Sequence, residues 1–525
     1  MITSLPSEVI VQVSHHIDQY DVVNLALTCS EMNRLMIPQL YKTINIDSSP
    51  KNYSQTLLHE PINRTTVRSI FSLKKLFRNL ICNQWYCKQV NTFITSTKIP
   101  DLSDMELQSY LNQILPLLEN LTVFRWRSDT CKIATHLPRN YNLKTIDGNF
   151  DFTNLPKVID TNKIMNLKYL RLTHVYTYHD LESIDVMQFQ NLEYLSISMK
   201  NLVKDCREDY LQRLFNHDSN VKLQLKELKF ENMIVRPSDA TLLGTNITLK
   251  KLTKLEIINC HEIWWQTEGD SSRRHPHEKT FLEILCSNTI NVQCININCS
   301  NELSDNSYQI EALKNIKNLT KIELYLNFNW KNHLTRNNTN VYFEKLFIDL
   351  IDSILKFKLT LSSLQINFEI SETKNLNCTI PCCLSRKKLP AEFFKKLENF
   401  SNLELLSIPI NESLITQIYD ITSNLTNLRV LDFSAITDKE SSKGKCLINS
   451  AYFKVPLSTT YNIGDFSTLS GNLPFHYRTF AEGFRKCTPS LQIVRFPNAL
   501  FYCGEKVELW ENLDLQCITD WLGKT

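Results

Sequence analysis

The sequence predicts an α/β chain in which a small helical unit precedes a long solenoid of stacked strand-and-helix repeats. Apolar residues recur at helical spacing within the first 46 residues, and a short apolar motif recurs many times after residue 120. The chain has 525 residues, of which 42% are hydrophobic, so it can bury a large core and is not expected to be disordered. Together these observations favour a repeat architecture.

The composition argues against several classes of enzyme and of nucleic-acid-binding protein. Only 9 residues are glycine, and neither G-x-G-x-x-G nor G-x-x-x-x-G-K-[ST] is present to bind phosphate. The 58 basic and 55 acidic residues give a net charge of +3, which provides no overall attraction to nucleic acid. The 16 cysteines show no spacing typical of a zinc site. We therefore expect no catalytic residue, cofactor or metal, although an enzyme on an unrelated α/β scaffold stays an alternative.

The N-terminal sequence lacks a basic segment followed by an apolar stretch, and no apolar run in the chain reaches 18 residues. We therefore expect neither a secretory signal nor a membrane-spanning helix. The cysteines are then expected to be thiols in a reducing compartment, which favours a cytoplasmic or nuclear location.

The first 46 residues are predicted to form three short helices. Pro6 suits the first position of the first helix, where a missing N–H group costs little. Val9, Val13 and Ile17 then recur at i, i+4 and i+8, which places them on one face of that helix. Asp21 is predicted to cap the second helix.

Ser30 is predicted to cap the third helix, and Pro38 is predicted to limit it. Its apolar side carries Met32, Leu35 and Met36. Three short helices within about 40 residues cannot bury all of this apolar surface among themselves. Part of that surface is therefore expected to contact a partner protein.

The segment after the helices is predicted to lead into the repeats. Residues 47–66 are polar and indicate a linker, a helix is predicted over about 67–82, and a strand is predicted near Val90 to Ile94. The predicted domains are 1–46, 47–98 and 99–525.

The repeated motif has the pattern apolar-x-x-apolar-x-apolar. The complete copies begin at Leu121, Leu167, Leu192, Leu225, Leu252, Val292, Leu319, Leu361, Leu403, Leu428 and Leu491, and a partial copy begins at Leu143. Several starts are separated by about 22–27 residues, within the range of leucine-rich repeats, and the longer separations require insertions. An ordinary α/β domain whose strands match the pattern by chance is the alternative.

The motif predicts one strand for each repeat. Its last two apolar positions are two residues apart, so they share the strand face that points into the core. Stacked repeats then bury a continuous core, with helices such as 343–355 on the other side. Insertions are expected at 262–279, 329–341, 371–390 and 435–488, and the amphipathic tail Trp510–Leu522 is expected to cap the end.

The residues between the core positions are predicted to line the concave face of the solenoid. The candidate partner-binding residues on this face are Arg125, Arg127, Tyr169, Arg171, Tyr194, Lys229, Glu256 and Tyr325. Their charges are mixed and aromatic rings lie among them, which favours a protein partner over nucleic acid.

The N-terminal unit resembles the F-box. The resemblance rests on Leu5-Pro6-Ser7-Glu8-Val9-Ile10, on Asp21-Val22-Val23-Asn24-Leu25-Ala26, and on the exit segment Leu40-Tyr41-Lys42-Thr43-Ile44. The third helix departs from the family pattern, because Cys29 is followed by Ser30-Glu31-Met32. An F-box before leucine-rich repeats is similar to the F-box/leucine-rich-repeat proteins, especially divergent fungal ones.

The resemblance implies that the F-box binds Skp1, which connects to a cullin and a RING protein, while the repeats hold a protein substrate for ubiquitylation. It implies no catalytic residue in this chain. The residues that it implies for Skp1 binding are Leu5, Pro6, Val9, Ile10, Val13, Leu25, Leu40 and Tyr41. A Skp1-bound structural or adaptor protein outside ubiquitin ligation is the alternative.

Overall fold

The computed structural model describes residues 5–48, 65–95, 102–127, 142–149, 166–175, 184–200, 211, 214–215, 221–263, 279–301, 306–329, 339–371, 390–408, 415–433, 436–438, 473–496, 499–504 and 506–510. The chain divides into two compact units. Unit 1 comprises residues 1–233 and 242–248, and unit 2 comprises residues 234–241 and 249–525.

Three helices open unit 1, as predicted: α1 (Ser7–Ser14), α2 (Gln19–Thr28) and α3 (Ser30–Lys42). Each helix contributes apolar side chains to one small core. The buried members of that core are Ile10, Val22, Ala26, Met32 and Met36, and Ile17, Leu25, Leu35 and Leu40 pack against it.

The caps of the first two helices differ from those predicted. Helix α1 begins one residue later, and Pro6 lies before it with its carbonyl accepting from the N–H groups of Val9 and Ile10. Asp18, not Asp21, caps α2, since its carboxylate accepts the N–H of Asp21 at 2.9 Å. Aspartate is a favourable capping residue at either position, so the cap is known only once the first residue of the helix is known.

The third helix is longer than predicted. Cys29 caps it in place of Ser30, and the helix continues past Pro38 to Lys42. A proline inside a helix removes one hydrogen bond. The last turn persists because Leu40 packs against the helical core and because strand β1 (Thr43–Ile46) follows directly.

The remaining elements of unit 1 are three helices and short strands. They are β2 (Thr65–Val67), α4 (Ile70–Cys82), α5 (Gln84–Gln89), β3 (Thr92–Thr95), α6 (Asp104–Ile114), β4 (Val123–Trp126), β5 (Thr145–Asn149), β6 (Tyr169–Val175), β7 (Tyr194–Met199) and β8 (Glu227–Glu231). The predicted helix over 67–82 and the strand near residue 90 correspond to α4 and β3. Strand β1 pairs with both β2 and β3, and β3 to β8 then follow in chain order, all parallel.

From residue 234 the elements are β9 (Ile234–Val235), α7 (Pro237–Asn246), β10 (Lys254–Glu262), α8 (Phe281–Asn288), β11 (Cys294–Asn301), α9 (Ser307–Lys314), β12 (Lys321–Asn329), α10 (Thr339–Ile354), β13 (Ser363–Ser371), α11 (Ala391–Leu397), β14 (Leu405–Ser407), α12 (Ile415–Asn424), β15 (Val430–Asp432), β16 (Ile436–Asp438), α13 (Leu473–Cys487), β17 (Ile493–Phe496), β18 (Ala499–Cys503) and β19 (Val507–Trp510). Strands β9 to β15 and β17 are parallel, and β16 pairs with β13. The unit ends in the antiparallel strands β17, β18 and β19.

The repeat motif predicted from the sequence is confirmed. Every complete copy, and the partial copy at Leu143, coincides with a strand, and all of its apolar positions are buried. Within each unit the strands stack in parallel, with helices between many of them, so the predicted fold class of stacked α/β repeats is also confirmed.

Asparagines before the first apolar residue of a repeat connect neighbouring repeats. The side-chain amides of Asn291, Asn402 and Asn427 donate to main-chain carbonyls of Lys250, Leu359 and Ser401 at 2.7–2.9 Å. Because the donors sit where the chain enters each strand, they satisfy carbonyls that the short strands leave unpaired. The recurrent asparagine of the motif thus has a structural role.

Most of the predicted insertions lie outside the described residues. Of the segment 435–488, the structure describes β16 and α13. The tail Trp510–Leu522, predicted to cap the repeats, is described only at Trp510, the last residue of β19.

Candidate partner-binding surfaces

Two helices of the N-terminal domain expose apolar side chains. On α1 and just before it, Leu5, Val9 and Val13 are each about 40% exposed. On α2, a second stripe at i, i+3 and i+7 consists of Tyr20, Val23 and Leu27, and Leu27 is 77% exposed. We call these six residues the N-terminal apolar surface. Several large apolar side chains exposed on neighbouring helices of one small domain are typical of an interaction site.

The eight residues expected to bind Skp1 occupy different environments. Pro6 is exposed beside Leu5, whereas Ile10 is buried in the helical core. Leu25 and Leu40 are partly buried against the same core. The remaining residue is half-buried Tyr41, which stacks on the ring of Tyr86 in α5, with 4.5 Å between ring centroids. Tyr20, Val23 and Leu27 were not predicted, although their helical spacing in α2 could have indicated them.

The N-terminal domain is joined closely to the first strands of unit 1. Strand β1 continues directly from α3, and the main-chain N–H of Thr66 in β2 donates to the side chain of Gln19 at 2.9 Å. The stacking of Tyr41 on Tyr86 adds a third connection. Burial raises the pKa of Tyr41, which keeps this phenol neutral at physiological pH.

The outward residue between the last two apolar positions of each repeat forms a second candidate surface. Because neighbouring strands pair in register, these residues lie side by side across the sheet. In unit 1 this line of residues starts at Ile94 of β3. On the next five strands it continues with Arg125, Asp147, Arg171, Ser196 and Lys229. We call these five residues the basic row.

Asp147 lies at the centre of this charged group and is completely buried. Its Oδ2 atom accepts from Nε and Nη2 of Arg127 at 3.0 and 2.8 Å. Its Oδ1 atom is 3.9 Å from Nε of Arg171. Burial acts to lower the pKa of Arg171, but Asp147, Tyr194, Tyr169 and Glu231 together outweigh it and raise that pKa, so the guanidinium stays charged.

Two tyrosines form a flat platform beside the basic row. The rings of Tyr169 and Tyr194 stack with centroids 3.9 Å apart. The guanidinium carbon of Arg125 lies 5.7 Å from the centroid of the Tyr169 ring, close enough for a cation–π interaction. Burial raises the pKa of Tyr169 well above its ordinary value, so this ring remains a neutral contact surface.

Several polar atoms of the basic row have no hydrogen-bond partner among the residues that the structure describes. They are Nε of Arg125, Nε of Arg171, Oδ1 of Asp147 and Oγ of Ser196, all of which are buried. Lys229, by contrast, pairs with Glu231 at 3.0 Å. Buried polar groups are nearly always paired, so this cluster is unusual.

The equivalent row of unit 2 has the opposite charge. Its residues lie in register across β10 to β15 and β17, and they are Glu256, Asn296, Glu323, Gln365, Ser407, Asp432 and Arg495. We call them the acidic row. Their functional groups bond to one another, as Glu323 accepts from Asn296 at 2.7 Å and Asp432 accepts from Ser407 at 2.7 Å.

The candidate substrate-binding residues all lie on the outward face of the strands or directly after a strand. Arg125, Arg171 and Lys229 belong to the basic row, and Glu256 belongs to the acidic row. Tyr169 and Tyr194 precede the basic row by two residues, Arg127 follows β4, and Tyr325 donates to Glu323 at 2.8 Å. Whether they bind a substrate stays a prediction.

Asp147 and Ser196 were missed in the sequence, although the motif contains the signal that locates them. Both occupy the position four residues after the first leucine of their repeats, Leu143 and Leu192. Applying that position to every repeat would have found the entire row. What the spacing could not reveal is that Asp147 is buried and bound by Arg127.

Among the described residues, no three His, Cys, Asp or Glu side chains are grouped so that they could hold a metal ion. Burial raises the pKa of the Cys87 thiol to about 11 and that of the Cys286 thiol to about 12, so neither is a ready nucleophile. No helix in the described part of the chain is both long and apolar enough to cross a membrane.

Residues 2–47 match the family model described as F-box-like. No curated protein matches the chain. Among solved structures, the chain is similar to a leucine-rich-repeat protein of Leptospira interrogans, with 14% identity, coverage of 70% of this chain and 83% of that chain, and a TM-score of 0.29. The repeat fold is established by the strand order and register of the two units, independently of that likeness.

The N-terminal segment is thus an F-box-like domain, and the strands that follow it form repeats of the leucine-rich type. The chain therefore combines an F-box-like domain with a region of leucine-rich-type repeats.

Proposed function

We propose that this chain is the substrate-recognition subunit of a Skp1–cullin–F-box ubiquitin ligase. Its F-box-like domain docks on Skp1, and its repeats bind the protein to be ubiquitylated. The observation that carries the proposal is the N-terminal apolar surface, which remains exposed although the helices already have a core of their own. In such a ligase this chain performs no chemistry. Its role is to bring the substrate close to the conjugating enzyme, which raises the effective concentration of the two.

The exposed stripes on α1 and α2 are suited to a protein partner. Five of the six side chains are aliphatic. The sixth, Tyr20, is aromatic and can donate one hydrogen bond at the edge of an interface. The close connection between this domain and the first strands supports a fixed separation between bound Skp1 and a substrate on unit 1. We expect the complex to be cytoplasmic or nuclear, as the family resemblance implies.

The direct test is capture of the full chain by tagged Skp1. Leu27→Glu introduces a charge into the N-terminal apolar surface and is expected to lower Skp1 capture at least tenfold, without a change in melting temperature. Leu5→Ala combined with Pro6→Ala is expected to weaken capture as well.

Leu359→Glu is the matched control, because Leu359 is 67% exposed but lies in unit 2. It should leave Skp1 capture unchanged. If the wild type does not capture Skp1, or if Leu27→Glu captures it equally well, the proposal is wrong. Capture of Skp1 without cullin, and no client that accumulates when the chain is deleted, would instead indicate an adaptor outside ubiquitin ligation.

A further inference from the structure

The basic row holds positive charge that the described residues do not neutralise. Arg127 is paired with Asp147, and Lys229 is paired with Glu231. Arg125 forms no ion pair among the described residues, and its contact is with the Tyr169 ring. The only ion-pair partner of Arg171 among the described residues is Asp147, at 3.9 Å, and that carboxylate already accepts from Arg127. Three guanidinium groups thus share one carboxylate, which leaves about two positive charges without a counter-charge.

The same cluster holds buried donors without acceptors. Nε of Arg125, Nε of Arg171 and Oγ of Ser196 have no hydrogen-bond partner, and the Ser196 side chain is completely buried. A buried donor left unpaired is unfavourable, because the hydrogen bonds that it made to water are not replaced. Sites that are incomplete in this way gain most from a ligand that supplies acceptor oxygens.

We propose that the basic row binds an acidic segment of a protein substrate, with Asp or Glu carboxylates of that segment accepting from Arg125 and Arg171. The inference rests on the proposed substrate-receptor function. Arginine suits this role because its planar guanidinium matches the two oxygens of a carboxylate. The stacked Tyr169 and Tyr194 rings add apolar contact area beside the charges.

The charge at the site favours a carboxylate over a phosphate group. Each carboxylate carries one negative charge, so two carboxylates match the two guanidinium charges that Asp147 does not neutralise. A phosphoryl group carries nearly two negative charges at neutral pH. It would also lie beside the buried carboxylate of Asp147, which repels it.

The strand spacing predicts the separation of the acidic residues in the segment. Arg125 and Arg171 flank Asp147 on adjacent strands, and strands lie about 4.8 Å apart, so their backbones are about 10 Å apart. In the polyproline II conformation, side chains three positions apart lie on the same face and are separated by about 9 Å. A segment in that conformation with two acidic residues three positions apart can therefore place one carboxylate at each arginine.

The experiment measures the affinity of the full chain for three fluorescein-labelled peptides by anisotropy at physiological salt. The peptides share a Gly/Ser sequence and carry Glu, Gln or phosphoserine at two positions three residues apart. The Glu peptide is expected to bind at least tenfold more tightly than the Gln peptide. Arg125→Gln and Arg171→Gln are each expected to lower affinity for the Glu peptide about tenfold.

Arg78→Gln is the matched control, because Arg78 is an exposed arginine on α4 of the same unit. It removes the same charge and should leave peptide affinity unchanged. Equal binding of the Glu and Gln peptides, an equal loss in Arg78→Gln, or a phosphoserine peptide that binds tenfold more tightly than the Glu peptide would each overturn the inference.

Skp1 capture by the same variants separates this inference from the proposed function. Arg125→Gln and Arg171→Gln should capture Skp1 as the wild type does, and Leu27→Glu should bind the Glu peptide as the wild type does. A failure of peptide binding alone rejects the basic row as an acidic-segment site. A failure of Skp1 capture alone rejects the ligase function.

Discussion

The basic row of unit 1 and the acidic row of unit 2 occupy the same position of the repeat but carry opposite charge. Three of the five residues in the basic row are cations, and three of the seven in the acidic row are carboxylates. The backbone is the same in kind, since both rows lie on parallel strands in register. The difference therefore arises from the side chains alone.

The two rows also differ in how completely they are hydrogen-bonded. In the acidic row, Glu323 accepts from Asn296 and Tyr325, and Asp432 accepts from Ser407. Among the described residues, four buried polar atoms of the basic row have no hydrogen-bond partner, against one in the acidic row, Oδ1 of Asn296. We infer that the acidic row mainly stabilises unit 2, whereas the basic row is arranged for a partner.

The largest effect is expected from Arg127→Ala in unit 1. The substitution removes both hydrogen bonds to the Asp147 Oδ2 atom and leaves a completely buried carboxylate with only the distant Arg171. Breaking a buried ion pair costs about 3–5 kcal/mol. Because the Arg127 side chain is 40% exposed, a loss of about 2 kcal/mol is expected in urea denaturation.

Arg495→Ala is the comparison in unit 2, since Arg495 lies 3.7 Å from the buried carboxylate of Asp432. Asp432 keeps its hydrogen bond from Ser407, so the loss should be about 1 kcal/mol. An equal or larger loss in Arg495→Ala would contradict the view that the acidic row is the more completely bonded of the two.

Replacing the serine at the same repeat position in each row is expected to have a smaller effect on stability. The change in stability should differ between the two rows. Ser407→Ala removes a 2.7 Å hydrogen bond to a buried carboxylate and should destabilise unit 2 by about 1–2 kcal/mol. Ser196→Ala removes a buried hydroxyl without a partner and should leave the stability of unit 1 unchanged or slightly higher. Thermal melting of both variants tests the contrast, which disappears if both lose stability equally.

The smallest effect concerns charges at the strand entrances of unit 1. Glu193 accepts from Lys168 at 2.8 Å and from Lys226 at 2.6 Å, and these hydrogen bonds lower its pKa to about 2. A lowered pKa stabilises the fold above the unfolded value of about 4.3, and this contribution is lost as the pH falls toward 2.

The stability difference between the wild type and Glu193→Gln should therefore be small at pH 7 and decrease as the pH falls from about 5 to 2. It should also shrink in high salt, because the Glu193 side chain is 34% exposed. A difference that grows in acid would show that the two lysines do not stabilise the ionised form. Urea denaturation across this pH range provides the measurement.

Much of the fold could be predicted because its signals are local. The spacing of Leu167, Leu170 and Leu172 is sufficient to predict a strand and its buried face. Helix ends were harder, since Asp18 and Asp21 are both good capping residues and neighbouring packing decides between them. Pro38 was expected to end α3, but packing of Leu40 extends the helix.

The candidate surfaces could be predicted only in outline. The N-terminal helices were expected to retain apolar surface, but the division into buried Ile10 and exposed Val9 depends on how α1 packs. Tyr41 was expected at the Skp1 interface, and its stacking on Tyr86 depends on a residue far along the chain. Contacts of that kind leave no periodic pattern.

The sequence by itself determined the repeat, its strands and the outward position of Arg125, Arg171 and Glu256. The reason is that the spacing of the leucines shows which side chains of each strand are buried. Only the tertiary structure decided that Asp147 is buried between Arg127 and Arg171 and that Ser196 has no partner. Those properties depend on the register between strands from different repeats. Register sets which side chains become neighbours, and neighbours determine whether a charge is neutralised.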